Sequence, residues 1–344
     1  MRKLIRKATG LTVGVATLLA GLVLPMTASA ESASPIDASP IIHYSFDNAL
    51  TSKTIANEGS AANSDATLSG DATVANGQIN LTGSQTISVP TTAIAGKKDV
   101  TVSIWLKNNY GNGNTAAAYI GAAKTGNYPA NGYWLLNPAN PSGYAKSVMT
   151  NATAADPNNS PWGTEVGPGS TNAATIGTKA TSDLALYTTV ISGTNSTMSF
   201  YLNGKQVGDA TYTIPAGGLT NYGDLVAYIG KSSYADPNSK LDVDDYAVYD
   251  TAISAADVTK LYDAQVLDKA EAAVKAAVPA SATEDFALPT SAAGVSIAWK
   301  SGNAAIAVDN ATGKATVTRP AATAADAEVT LTATFGNNAK TAAY

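Results

Sequence analysis

The chain has 344 residues, enough for about two domains, and carries a formal charge of −5 with 14% charged residues against about 25% in an average soluble domain. It has no cysteine, which excludes disulfides, thiolate metal sites and a cysteine nucleophile, and one histidine, His43, which excludes a multi-histidine metal site. The acidic balance excludes the basic face that a nucleic-acid partner requires.

Arg2, Lys3, Arg6 and Lys7 precede a mainly apolar stretch from Leu11 to Leu24, then Pro25 and Ala28-Ser29-Ala30. A charged start, a short apolar core and an A-x-A end make residues 1–30 a signal peptide cleaved after Ala30. A spanning helix needs about twenty apolar residues, more than this stretch offers. Cleavage leaves 17 basic against 26 acidic residues, a net charge of −9. No other long apolar run follows, so the mature chain is expected outside the cell with no membrane insertion.

Residues 31–40 are small, polar and proline-containing and read as a linker. From 41 to 252 short apolar segments alternate with Gly, Asn and Pro. Strands are expected at Ile41–Phe46, Gln78–Leu81, Gln85–Val89, Val100–Lys107, Gly132–Leu136, Leu186–Ser192, Met198–Leu202, Leu225–Ile229 and Asp245–Tyr249. Such spacing predicts an all-β sandwich or barrel. Asn203-Gly204 marks a tight hairpin, because a type I′ turn needs two residues at positive φ. Residues 253–281 read as a helical connector. Ser254 and Asp257 form a capping-box-like start, Val258, Leu261, Tyr262 and Val266 follow at helical spacing, and a second run covers Ala270–Ala277 before Pro279. Strands return in 282–344, at Val295–Lys300, Ala305–Val308, Lys314–Thr318 and Glu328–Phe335, giving a small Ig-like sandwich.

Several of these segments carry a family likeness. Tyr44-Ser45-Phe46-Asp47, Thr101-Val102-Ser103-Ile104-Trp105-Leu106-Lys107, Tyr201-Leu202-Asn203-Gly204-Lys205 and Asp244-Asp245-Tyr246-Ala247-Val248-Tyr249 occur in the order found in laminin-G-like, concanavalin A-like lectin modules, which the 41–252 region resembles. It departs from them at Leu186–Val190, where relatives often carry a W-x-H strand, and in the long stretch from Asn108 to Ser182. The resemblance implies an antiparallel jelly-roll sandwich. Leu288-Pro289-Thr290, Ile297-Ala298-Trp299-Lys300-Ser301 and Gly313-Lys314-Ala315-Thr316-Val317-Thr318 resemble the atrophied bacterial Ig-like domains of secreted polysaccharide-degrading enzymes. The sequence stops at Tyr344 as the last strand of such a domain is expected to start. In relatives of this layout a glycoside hydrolase domain, often arabinan-degrading, commonly follows.

No catalytic apparatus is apparent. Retaining glycosidases on related folds place two or three carboxylates on one face of one strand, but no two of Glu31, Glu58, Glu165, Glu271, Glu284 and Glu328 lie within ten residues of each other. The acidic turn Asp242, Asp244, Asp245 is open to three readings: solvated carboxylates, hard ligands for Ca²⁺, or a catalytic pair, since Asp242 and Asp244 would face the same side of a strand. The resemblance implies that Asp47 and Asp244 meet at one edge, with Asp65 in a neighbouring loop, around a structural calcium ion. Sugar recognition needs flat aromatic faces beside amides and hydroxyls. Seven aromatic residues lie between Tyr110 and Trp162, interleaved with asparagines, and the candidate sugar-contacting residues are Trp162, Trp134, Tyr133, Tyr110 and Asn131. Tyr133 and Trp134 are adjacent on one expected strand, so only one of them points outward. Trp105 and Trp299 read as packing residues. Three functions compete: a secreted non-catalytic carbohydrate-binding module with an Ig-like spacer, targeting an enzyme to a polysaccharide; the N-terminal part of a glycoside hydrolase, with further domains in the same polypeptide; and a cell-surface adhesin.

Overall fold

A computed structural model describes residues 36–126, 128–129, 131–151, 161–170, 177–181, 183–208, 211–336 and 340–344. The expected signal peptide and the start of the expected linker lie outside these residues. Two antiparallel sheets form a jelly-roll sandwich. One runs in the order Lys205–Gln206, Thr197–Leu202, Ala185–Ser192, Asp99–Asn108, Leu241–Tyr249, Gln78–Leu81 and Thr73–Ala75, and Ile42–Tyr44 also pairs with Leu241–Tyr249. The other runs Glu165–Val166, Lys146–Thr150, Tyr133–Asn137, Ala118–Ala122, Leu225–Ile229, Thr86–Val89, Ala66–Ser69 and Thr54–Ile55. Alternate residues face the shared core: Val100, Val102, Ile104 and Leu106 from one sheet, Ile120, Trp134, Leu136 and Met149 from the other.

The outer faces are buried too, which explains why several strands lack an apolar–polar rhythm. Trp105, Leu186, Val190 and Tyr201 point out of the first sheet and are covered by a helix, Ala255–Ala277. Tyr119, Tyr133, Leu135 and Val148 point out of the second sheet beneath its loops. Ala118–Ala122 and Lys146–Thr150 went unforeseen for this reason: every residue between 118 and 122 is buried, so no period-2 pattern marks the strand. Gly121 sits opposite Tyr133 across the ladder, and a Cβ there would lie 2.4 Å from the Cβ of Tyr133, so only glycine lets that ring lie where it does.

Local signals behave as chemistry requires. Asn203 and Gly204 adopt φ of 51° and 70°, the two positive angles of the expected turn. Ser254 Oγ accepts the Asp257 N–H at 3.1 Å and donates to its carboxylate at 2.8 Å. The two expected helical runs are one helix of 23 residues, because Val258, Leu261, Val266, Ala270 and Val274 form an unbroken buried stripe. It ends at Val278, extended before Pro279, where the proline ring disfavours a helical predecessor. The connector is therefore a shared wall. Its first half packs on the jelly roll and its second half supplies Ala270 and Val274 to the core of the small sandwich. The linker reading also needs correction at its end: Ile36 is buried against Tyr201, Tyr249 and Leu261, since an isolated isoleucine beside an apolar cleft gains by leaving water.

The small domain packs Phe286–Ala287, Lys314–Val317 and Ile306–Val308 against Ser291–Ala292, Val295–Ser301, Leu331–Phe335 and Lys340–Ala343. Ile297, Trp299, Leu331, Ala333 and Phe335 alternate inward. Lys340–Ala343, where only the beginning of a strand was expected, pairs with Leu331–Phe335 over four residues.

Candidate functional site

The outer face of the eight-stranded sheet holds a pocket of about 330 Å³. Its floor comes from the Tyr133–Asn137 strand, whose odd positions Tyr133, Leu135 and Asn137 point outward while Trp134 and Leu136 point into the core. Lys146 and Glu165 form one wall, Asn114 and Thr115 another, and Trp162, Tyr234 and Asp236 the rim. Trp162 is 36% exposed and is the exposed large hydrophobic residue among those described.

A hydrogen-bond chain fixes this rim. The Trp162 backbone N–H bonds the Tyr234 phenol oxygen, the Tyr234 hydroxyl donates to Tyr133 at 2.9 Å, and Tyr133 donates to Glu165 at 2.8 Å. The other Glu165 oxygen takes the Lys146 ammonium at 2.8 Å, and the Glu165 side chain is 1% exposed. Burial pushes the Tyr133 phenol well up, and the Glu165 carboxylate beside it adds to the shift, so the proton stays on oxygen and the chain keeps its direction. The rings of Tyr133 and Trp162 each meet Tyr234 edge to face, at 5.5 and 6.3 Å between centroids. Asp236 is exposed at the pocket, and partial desolvation shifts its carboxyl up, with the Lys146 charge opposing. Asn137 lines the floor but spends its amide on the loop, donating to the Gly113 carbonyl at 2.7 Å and accepting from Ala139 N–H at 3.0 Å.

Of the five sequence-derived candidates, the structure brings Trp162 and Tyr133 together here. Trp134 is fully enclosed between the sheets, its indole N–H donating to Ser147 Oγ at 3.1 Å, and offers a ligand no face; strand alternation gives the outward place to Tyr133. Tyr110 is half-buried in its own turn, its ring against Gly113 with the Lys240 ammonium 6.0 Å from the centroid, and does not line the pocket. Asn131 is half-buried and also lies off it. Lys146, Glu165, Tyr234 and Asp236 were missed because they come from three separate segments. The one legible signal is Glu165, an isolated acid in a stretch otherwise rich in Gly, Ser, Asn and Pro.

The acidic pair lies on the other sheet. Asp47 and Asp244 do approach one place: a Cβ on Gly77 would lie 3.1 Å from Asp47 Oδ1 and 3.9 Å from Asp244 Oδ2. The cation that meets Asp244 is the Lys269 ammonium, 2.7 Å from Oδ1 and also paired to Asp245. A bulge makes this double contact: the register against Asp99–Asn108 shifts between Asp244 and Ala247, and Asp245 takes φ of 43°, so two successive carboxylates reach one lysine. Asp65 is exposed and accepts the Asn57 N–H at 2.8 Å. Among the described residues no three Asp, Glu or His side chains are grouped to hold a metal. The donor set serves an ammonium and does not fit a calcium ion, because a divalent cation would have to sit beside the lysine charge.

This cluster makes stability pH-dependent. Burial pushes Asp244 up to about 7, with Asp245 and Asp47 adding and Lys269 opposing. Burial disfavours charged His43, but the hydrogen bond that its ring N–H donates to Asp245 and the charges of Asp245 and Glu58 outweigh burial and the Lys269 charge, raising it above 6.5. Both groups hold a proton more tightly folded than unfolded, so their contribution is full at low pH and lost as pH rises through the folded values. Asp245 is shifted down, and its opposite dependence falls at acid pH. The melting temperature is expected to fall between pH 5.5 and pH 8, and Asp244→Asn to flatten that slope; a melting temperature that rises over this range defeats the assignment.

Comparison with known proteins agrees with this architecture. Residues 81–259, just over half of the chain, match the family model for the concanavalin A-like lectin/glucanases superfamily, and residues 266–343 match the atrophied bacterial Ig domain. No curated protein matches. Among solved structures, similarity extends to domain 4 of AbnA, a GH43 extracellular arabinanase from Geobacillus stearothermophilus in complex with arabinotriose (19% identity, 65% of this chain and 98% of that one, TM-score 0.46). It extends also to the binding domain of botulinum neurotoxin serotype D (14%, 67% and 52%, 0.43) and to Trypanosoma rangeli sialidase (10%, 66% and 33%, 0.44). With two sheets, an outer-face pocket and the matched span coinciding, the chain belongs to the concanavalin A-like lectin/glucanases superfamily, and the Ig match begins within the second half of its helix.

Proposed function

We propose that this chain is a secreted, non-catalytic carbohydrate-binding module with an Ig-like spacer, which holds a polysaccharide-degrading enzyme on its substrate. The observation that carries the reading is the pocket under Trp162, where an exposed indole and two tyrosine rings stand beside asparagine and threonine side chains, the mixture a sugar ring needs for C–H packing and directed hydrogen bonds. Two carboxylates share the pocket, but Glu165 is locked between Lys146 and Tyr133, which leaves it a poor nucleophile or proton donor and favours binding over hydrolysis. The sequence of residues 1–30 supports export.

The test is a glycan-array screen of residues 31–344 against arabinan, xylan and mucin-type sugars. Specific binding is expected, weak for a single module and strengthened by multivalent display. Trp162→Ala is expected to weaken it at least tenfold, about 1.4 kcal/mol, while changing fold stability by less than about 0.5 kcal/mol, as for a surface substitution. Binding that survives Trp162→Ala places the site elsewhere, and binding to no glycan defeats the reading.

A further inference from the structure

The charges that line the pocket discriminate between classes of sugar. Three described lining residues are ionisable on the carboxylate and ammonium side: Lys146, Glu165 and Asp236, one cation against two acids. The cation is already spent, since the Lys146 ammonium lies 2.8 Å from Glu165. Lys231 is on the same loop as Tyr234 and Asp236, but its ammonium caps the Tyr228 ring, 4.1 Å from the centroid, and does not line the pocket. The segments 152–160 and 171–176, which flank Trp162 and Glu165 in sequence, contain no lysine or arginine and one acid, Asp156.

We propose that the pocket accepts neutral sugars and rejects uronic and sialic acids, with Asp236 as the selecting residue. This rests on the carbohydrate reading above. An acidic sugar needs a free ammonium or guanidinium, preferably as a bidentate fork, and would otherwise set a third carboxylate beside Asp236 and Glu165. A neutral ring asks only for the aromatic rim and for acceptors, and Asp236 supplies acceptors to its hydroxyls.

Isothermal titration of the whole mature chain with arabinotriose and xylotriose, against trigalacturonic acid and 3′-sialyllactose, tests this at low salt, where charge effects are least screened. The acidic sugars are expected to bind at least about tenfold more weakly than the better neutral one. Asp236→Asn keeps the shape and removes one charge, so the ratio between the two classes is expected to shrink, whereas Trp162→Ala is expected to weaken whatever binds without changing the ratio. Equal or tighter binding of an acidic sugar overturns the proposal, as does a ratio that Asp236→Asn leaves untouched. No binding by sugars of either class defeats the carbohydrate reading itself, an outcome distinct from acid binding, and this inference falls with it.

Discussion

Replacing Lys269 with alanine is expected to cost about 3–5 kcal/mol of stability at pH 8, where Asp244 is ionised beside the ammonium, the range for breaking a buried ion pair by removing one partner. The lysine side chain is 14% exposed, and the Asp244 side chain that it meets is 3% exposed. Without the ammonium, Asp244 and Asp245 face each other in a poorly hydrated place, and His43 relieves only Asp245, 2.9 Å from its Nε2. Helix propensity does not explain such a loss, since alanine is the better helix former. Urea denaturation measures the effect, with the m-value as a check that the unfolding transition is unchanged. Lys269→Met with Asp244→Asn removes one charge of each sign and keeps the aliphatic stem, and is expected to recover most of the loss. If Lys269→Ala costs less than about 1 kcal/mol, the pair behaves as a screened surface contact and the structural role assigned to it fails.

Trp134→Ala is expected to cost a similar amount, about 3–5 kcal/mol, through lost burial and the cavity left between the sheets. Trp134 is among the largest fully buried side chains, and its indole N–H ends a short buried chain in which Ser147 Oγ lies 2.8 Å from Thr189 Oγ1 of the facing sheet. The substitution therefore removes packing and also strips a partner from a buried hydroxyl. Chemical denaturation of Trp134→Ala and Trp162→Ala side by side gives the decisive contrast. The first should lose stability and the second binding. Equal stability for the two variants contradicts the placement of Trp134 in the core.

That contrast shows what the sequence made legible. Tyr133-Trp134 announced one inward and one outward ring, because strand alternation is a local rule, but which ring faces which way depends on what lies across the sheet. Gly121 opposite Tyr133 leaves room for an outward ring, and Ser147 beside Trp134 supplies an inward partner. Asn203-Gly204 and Ser254 with Asp257 were readable for the same local reason: the turn and the cap are satisfied within four residues. The pocket charges were not, since Lys146, Glu165 and Asp236 are single residues in polar loops and gain meaning only from their mutual distances. Asp244 and Asp245 were recognised as a cluster, but their partner lies 25 residues downstream from Asp244 on a helix whose exposed-face residues carry no mark of what they will touch.

The helix also decides where this polypeptide tolerates being cut. Its residues Val258 and Leu261 belong to one apolar cluster, Val266 to a second and Ala270 and Val274 to a third, within five turns or so. A truncation at 253 strips the jelly roll of the cover over Trp105 and Tyr201, and one at 281 leaves the small sandwich without two of its buried residues. Each half is whole only if it keeps the same helix, so proteases should find no clean hinge between them, and pieces expressed separately should each be made with residues 254–278 attached.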